Sequence, residues 1–379
     1  VQIDFNSSPG PSLGIEVELE LVDVRTGELA SAASEILAEI GQGHPDGIHP
    51  KAKHELFECC IEVITGVCTT VAEAKADLAV TIALVREAAA KRNLTLICSG
   101  SHPFSQWSEQ QITADDRYHQ LIDEVQWMGR RLQIFGVHVH VGIRSPEKAV
   151  VIANAVADYI PHFLALSASS PYWEGHDTGL ASSRSKVFEG LPTAGLPPRL
   201  ENWADFETYM STLVAAGAIS TVREVWWDVR PHPNFGTIEL RMCDGIPSLG
   251  EVASVAALAQ SLVAHLDALD DDGQAPVRQP GWLLAQNKWR AGRHGLEASL
   301  IVDEAGTVQP ARDAIVDLVD RVRPQAEELG CAAELDGIAT ITEVGPSYLR
   351  QRAASAGGKN LLAVVDHLAR ELASDEVSR

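Results

Sequence analysis

The sequence predicts an α+β fold, a largely antiparallel sheet with helices packed on one side. Three observations carry that expectation. Several segments alternate apolar and polar residues with a period of two, and others are long and rich in Ala, Leu and Val. The two kinds do not succeed one another regularly, as strands and helices of a doubly wound fold would. The 379 residues are enough for one large domain. With no internal repeat or linker visible, residues 13–379 read as a single domain after a flexible tail, 1–12, rich in Ser, Pro and Gly.

The first strand is LGIEVELELV, Leu13 to Val22. Side chains two apart share a face, so Ile15, Val17, Leu19 and Leu21 point one way and Glu16, Glu18 and Glu20 the other. KHELFECCIEVITG, Lys53 to Gly66, reads as a second strand, on which Glu58 and Glu62 share a face if no bulge intervenes. Thr70 to Asn93 is Ala-rich, begins with threonines suited to N-capping and ends basic, which predicts a helix. LTLICSG is a short apolar strand ending at Gly100, and Asp115 to Leu132 a helix. The strand QIFGVHVHVGI follows, with His138 and His140 alternating with Val137, Val139 and Val141. Another helix runs from Pro146 to about Ala168.

Residues 169–200, SSPYWEGHDTGLASSRSKVFEGLPTAGLPPRL, are dense in Gly, Pro and Ser. A loop this long inside a compact domain is commonly functional or mobile, and a lid over an active site is the expectation here. A helix from Glu201 to Ala216 leads to the strands REVWWDVRP and FGTIELRMCD. In the latter, Thr237, Glu239, Arg241 and Cys243 alternate with Ile238, Leu240 and Met242. From Pro247 onward the chain is mainly helical.

Composition excludes some functions. A net charge of −22 repels phosphate backbones, which argues against nucleic acid or an anionic membrane as partner. Six cysteines without a CxxC pair predict reduced, buried thiols in a cytoplasmic protein. The N-terminus lacks the basic and apolar regions of a signal peptide, and no apolar run is expected to span a bilayer.

Four strands thus carry one apolar face and one face of Glu, His or Arg. For any one strand a solvated outer face explains this. Taken together, the four faces hold no lysine except at the uncertain start of the second. Carboxylates and imidazoles crowded on one face need cations to neutralise them, and hard divalent ions prefer carboxylate oxygens. Arginines supply the planar donors that phosphoryl groups need: Arg241 two residues from Glu239, then Arg230, Arg184, Arg290 and Arg293. There is no GxxxxGK[ST] loop, GxGxxG, GxSxG or HExxH. The HVH pair with nearby carboxylates leaves open a metal-dependent hydrolase, and a non-catalytic protein binding a nucleotide or amino acid is a third reading.

LGIEVELELV, ICSGSHPF, FGVHVHVGI, ALSASSPYWEGHDTGLASSR, WWDVRPHPNFGTIELRMCD and NKWRAGRHGLE, in that order, resemble the bacterial carboxylate–amine ligases related to glutamate–cysteine ligase. The resemblance runs from about Leu13 to the final helix. It implies a glutamine-synthetase-like fold, in which a curved antiparallel sheet forms a funnel with helices outside. It also implies ATP and two or three Mg²⁺ ions, with Mn²⁺ as an alternative. The implied reaction phosphorylates a carboxylate, typically the γ-carboxylate of L-glutamate, and an amine such as cysteine then forms the amide with release of ADP and phosphate. By position, Glu16, Glu18, Glu58, Glu62 and Glu239 match metal ligands, and His138 lies near metals and phosphates with His140 as a second phosphate-side residue. Arg241 matches the phosphate-facing arginine, while Arg184, Arg230 and Arg290 are candidate substrate contacts; Arg241, Arg230, Arg184 and His138 are the candidate catalytic residues. Glu20 is expected nearer the rim and is not counted as a ligand. Relatives often self-associate, so a homodimer or higher homo-oligomer is expected.

Overall fold

The computed structural model describes residues 3–274 and 278–375; residues 1 and 2 of the expected tail lie outside them. Among the described residues the strands are β1 (Leu13–Asp23), β2 (Ala52–His54), β3 (Cys60–Ile64), β4 (Leu94–Ile97), β5 (Gly136–Gly142), β6 (Tyr172–Trp173), β7 (His176–Asp177), β8 (Val229–His232), β9 (Thr237–Asp244), β10 (Ser299–Ile301) and β11 (Val308–Pro310). The central sheet runs β2-β3-β1-β5-β9-β8, with β4 also paired to β1, and every pairing is antiparallel. The helices are α1 (Ala33–Ile40), α2 (Val71–Ala90), α3 (Asp116–Arg130), α4 (Pro146–Ala157), α5 (Ile160–Ser167), α6 (Arg184–Phe188), α7 (Trp203–Ala215), α8 (Leu249–Asp271), α9 (Gly281–His294), α10 (Ala311–Glu328), α11 (Ala332–Val344), α12 (Ser347–Ala354) and α13 (Leu361–Ser374). This is the expected α+β class.

The alternation on β1 is observed: Leu13, Ile15, Val17, Leu19 and Leu21 are all buried in the main core. The apolar faces of β3, β5 and β9 join them, covered by α2, α4, α5 and α8. Thr70 caps α2 with a reciprocal box, its hydroxyl accepting from Glu73 N while the Glu73 carboxylate accepts from Thr70 N. The helix expected from Pro146 to Ala168 is two, α4 and α5, bent by 60° at a break next to Pro161, whose ring cannot continue an uninterrupted helix. All six cysteines are buried and free.

Three expectations change. α8, at 23 residues, is long and apolar enough to cross a membrane by length and composition, but it is mostly buried among α2, α4, α10, α11 and β5 as a core helix. Residues 3–12 are not a free tail. Ile3 and Phe5 pack against the core, Phe5 meets Trp203 edge-on at 5.4 Å, and Asn6 N donates to Pro233 O at 2.9 Å. Burial of two apolar side chains outweighs the local Ser/Gly/Pro composition. The 169–200 segment is not structureless either: it contains the β6–β7 hairpin and α6, and residues 169–172 and 181–185 are buried.

Candidate active site

Register brings the polar faces together. Glu16 lies opposite His138, Glu18 opposite Glu62, and Glu239 opposite both His140 and Arg230. One band of ionisable side chains therefore crosses five strands. Its centre is Glu16, whose Oε2 lies 3.1 Å from His138 Nδ1 and whose Oε1 lies 3.4 Å from His140 Nε2. His140 is oriented by its other nitrogen, 3.0 Å from the Thr237 hydroxyl, and its Nε2 is 3.8 Å from Glu239.

Two donor groups meet metal-binding geometry, each with ligand atoms within 4.8 Å of one another: Glu16, Glu62 and His138, and Glu16, His140 and Glu239. Glu16 belongs to both. Carboxylate-dominated sets with one imidazole each suit a divalent cation of the Mg²⁺ or Mn²⁺ type better than the nitrogen- and sulfur-rich sites of zinc.

Electrostatics points the same way. Burial, together with the charges of Glu16 and Glu55, holds the Glu62 carboxyl far above the ordinary range. Burial and neighbouring Glu55 push Glu18 up to about 8, although its Oε2 accepts from Gly136 N at 2.5 Å. Glu16 is driven the other way: burial opposes ionisation, but His140 and His138 more than compensate. Burial lowers His138 to about 4, with Arg241 adding to the effect. A group of carboxyls that burial and mutual repulsion keep protonated is one a divalent cation would ionise.

The arginines divide by how well they are satisfied. Arg230 is buried and four of its five N–H donors are engaged: Nε and one outer nitrogen bond Glu239 Oε2 at 3.0 and 2.6 Å, and the other outer nitrogen bonds Val222 O and Val225 O. It braces Glu239 and keeps one N–H outside these bonds. Arg241 pairs with the other Glu239 oxygen but keeps a buried Nε without a partner among the described residues. Arg184 is buried at 4% exposure, and among the described residues its guanidinium hydrogen-bonds the Arg241 carbonyl alone, with the Phe188 ring 5.6 Å away. These two arginines carry the donors that an anionic ligand could use.

Three expected site positions change. Glu58 is outside the band: the chain turns at Leu56–Cys60, where Cys60 N donates to Phe57 O, so Glu58 leaves the Glu62 face. Its carboxylate instead accepts from Ser34 N (3.0 Å) and Ser34 Oγ (2.6 Å) at the start of α1. Glu55, not singled out from the sequence, takes the place beside the band, and Glu16 and Glu18 feel its charge. Arg290 binds Ser299 O at 2.8 Å on the α9–β10 side. The inward residue of that helix is Lys288, 3% exposed, bonded to Asp228 at 2.5 Å and Glu189 at 2.7 Å. Glu20 is at the bottom, not the rim: it is fully buried, bonded to Ser99 N and Oγ, and raised by burial to about 8.

Comparisons with known proteins bear on the family and the fold. The family model described as Glutamate-cysteine ligase family 2 matches residues 12–363. A Frankia casuarinae protein provisionally named glutamate–cysteine ligase 2-1 is 56% identical over 98% of each chain. A Thermobifida fusca protein provisionally named glutamate–cysteine ligase 2 is 50% identical over 97% of this chain and 92% of its own. Among solved structures, a Francisella tularensis glutamate–cysteine ligase in complex with AMP superposes with a TM-score of 0.70 at 14% identity, covering 98% of this chain and 90% of that one. A Pasteurella multocida bifunctional glutathione synthetase gives 0.67 at 14% identity over 96% of this chain and 52% of that one. The structural likeness establishes a shared fold, and the family match over most of the chain with relatives at half identity or more establishes kinship: the chain belongs to glutamate–cysteine ligase family 2.

Proposed function

We propose that this chain is an ATP-dependent carboxylate–amine ligase that joins L-glutamate, through its side-chain carboxylate, to an amine such as cysteine. The observation that carries the reading is the shared Glu16, set between two carboxylate–imidazole donor groups beside two incompletely satisfied arginines. Family membership supplies the reaction class. In this reading Glu16, Glu62 and His138 hold one cation and Glu16, His140 and Glu239 another, with Glu18 and Glu55 close enough to share in the charge. Bound divalent cations would neutralise phosphate oxygens and the charge that develops as phosphoryl moves.

The protein's own groups do the rest. Arg230 keeps Glu239 ionised and in place, with Arg241 beside it; burial opposes this, and the two guanidiniums overcome it. Arg241 and Arg184 offer N–H donors to anionic oxygens of nucleotide or acid substrate. Attack of the substrate carboxylate on the terminal phosphorus gives an acyl phosphate and ADP. The amine then displaces phosphate to form the amide. A dry site protects such an activated acyl group from water. The hydrolase reading has less support, because the HVH pair sits within an antiparallel sheet and its neighbours are mainly carboxylates.

The test is Mg²⁺-dependent ADP release with L-glutamate across a panel of amines that includes cysteine, with products weighed by mass spectrometry. A new mass equal to glutamate plus amine minus water supports the reading and names the acceptor. Hydrolysis of amides without ATP, in protein that purifies with zinc, would overturn it.

A further inference from the structure

Arg184 poses a question of its own. A buried guanidinium ordinarily finds carboxylates or several carbonyls, as Arg230 does. Arg184 makes two long contacts, both 3.4 Å and both to Arg241 O, and its Nε has no partner among the described residues. Beyond these it has the Phe188 ring at 5.6 Å and the nearby charges of Glu18 and Asp244, none of them a hydrogen bond, so something else must fix its position.

The surrounding chain does. The Arg184 backbone N–H donates to Ser170 Oγ at 3.0 Å, and that hydroxyl donates to Asp244 Oδ2 at 2.7 Å. The same Oδ2 accepts from Ser169 N at 2.9 Å, and Oδ1 accepts from Ser182 Oγ at 2.8 Å. Asp244 is fully buried at the end of β9. Gly100 makes room for it: a Cβ there would lie 2.6 Å from the Asp244 carboxyl carbon. Gly136 does the same for Arg184, since a Cβ at that position would collide with the guanidinium. At the far end of α6, Glu189 is tied to Lys288, which also binds Asp228, and Asp228 O accepts from Arg241 N at 2.8 Å. The 169–189 segment is thus a strap fastened at both ends to the β8–β9 hairpin.

We infer that Asp244 is a positioning residue: through the Ser170 hydroxyl it fixes Arg184 where the unsatisfied guanidinium meets an anionic oxygen of a ligand. That oxygen belongs to a nucleotide phosphate or to a substrate carboxylate, which share the chemistry. The inference rests on the ligase reading for its ligands. It assigns a purpose to a buried carboxylate outside the band of Glu16, His138, His140 and Glu239 and to the hydroxyl that links it to Arg184.

A double-mutant cycle tests it on the full chain. Affinities for a non-hydrolysable Mg·ATP analogue and for L-glutamate are measured in separate titrations by calorimetry, for the native protein and for Ser170→Ala, Arg184→Gln and the double variant. Each single variant should weaken the same one of the two ligands by roughly ten-fold, the worth of a hydrogen bond to a charged group. The double variant should be no weaker than Arg184→Gln alone. Losses that multiply to about a hundred-fold would show a role independent of Arg184 and overturn the inference. So would unchanged affinities in Ser170→Ala or in Arg184→Gln. If Ser170→Ala proves unstable by thermal melting, Asp244→Asn, which keeps the shape of the side chain, replaces it in the same cycle with the same expected outcomes. Native protein that binds neither ligand would overturn the ligase reading itself, a result read from the native titrations alone.

Discussion

Glu16 and Glu239 stand close together on the polar face, yet the same substitution should affect them differently. Glu16 serves two imidazoles and the two candidate cation sites, and among the described residues no guanidinium hydrogen-bonds to it. Glu16→Gln should therefore fold normally while lowering Mn²⁺ affinity on the order of 100-fold and abolishing ADP release. Glu239 satisfies two guanidiniums, the buried Arg230 and the mostly buried Arg241. Removing one partner of such a group leaves uncompensated buried charge, so Glu239→Gln should cost about 3–5 kcal/mol of stability as well as activity. Urea denaturation of the two variants checks this. Equal stabilities would mean that Arg230 and Arg241 find other partners. Sequence could name both glutamates and both arginines, because residue type and alternation are local. That Arg230 has four of its five donors engaged while Arg184 and Arg241 keep more free depends on Val222 O and Val225 O, which only the fold brings to Arg230.

Elements explain the misplaced glutamate. KHELFECCIEV alternates well enough to be read as one strand, but the structure has β2, a turn and β3. The turn moves Glu58 to the start of α1 and leaves Glu55 beside the band. Glu58→Ala should thus behave as the loss of a helix N-terminal partner, destabilising by about 1 kcal/mol with Mn²⁺ affinity unchanged. A large loss of Mn²⁺ affinity, measured by calorimetry, would return Glu58 to the site. The 169–200 segment misleads for a related reason. Its serines lower helix and strand propensity locally, yet Ser169, Ser170 and Ser182 are the groups that bind Asp244. The composition of a loop and that of a tightly bonded strap are the same when the bonding partner is more than sixty residues away.

At the scale of the molecule, buried neutral imidazoles set part of the acid response. His102 Nε2 binds Gly27 O at 2.9 Å, and its Nδ1 accepts from Ser105 N at 3.0 Å and Phe104 N at 3.3 Å. Burial lowers it from 6.5 to about 3. Between those values the unfolded chain binds a proton that the folded chain refuses, so stability is full above pH 6.5 and falls as pH drops toward 3. From pH 7 to pH 5 the loss from this residue is about 2 kcal/mol. His162, lowered to about 4 by burial, adds in the same direction. Urea denaturation of native protein and His102→Gln at both pH values isolates the contribution. An identical pH dependence in the two would exclude His102 as a source.

By itself the sequence determined the faces. Alternation over Leu13–Val22, Val137–Val141 and Thr237–Cys243 states which side chains share a side of each strand, because the period of two is a property of the local backbone. Together with motif order it determined the α+β class and the family, and placed Glu16, His138, His140, Glu62 and Glu239 on polar faces. Tertiary structure decided which faces adjoin. The order β3-β1-β5-β9 sets Glu16 against His138 and His140 against Glu239, joining residues more than two hundred positions apart into one band. It also decided which carboxylate of the Glu55–Glu58 turn meets that band and which guanidinium remains unsatisfied. Strand order, turns and buried partners are set by packing between distant segments, and no local pattern encodes that.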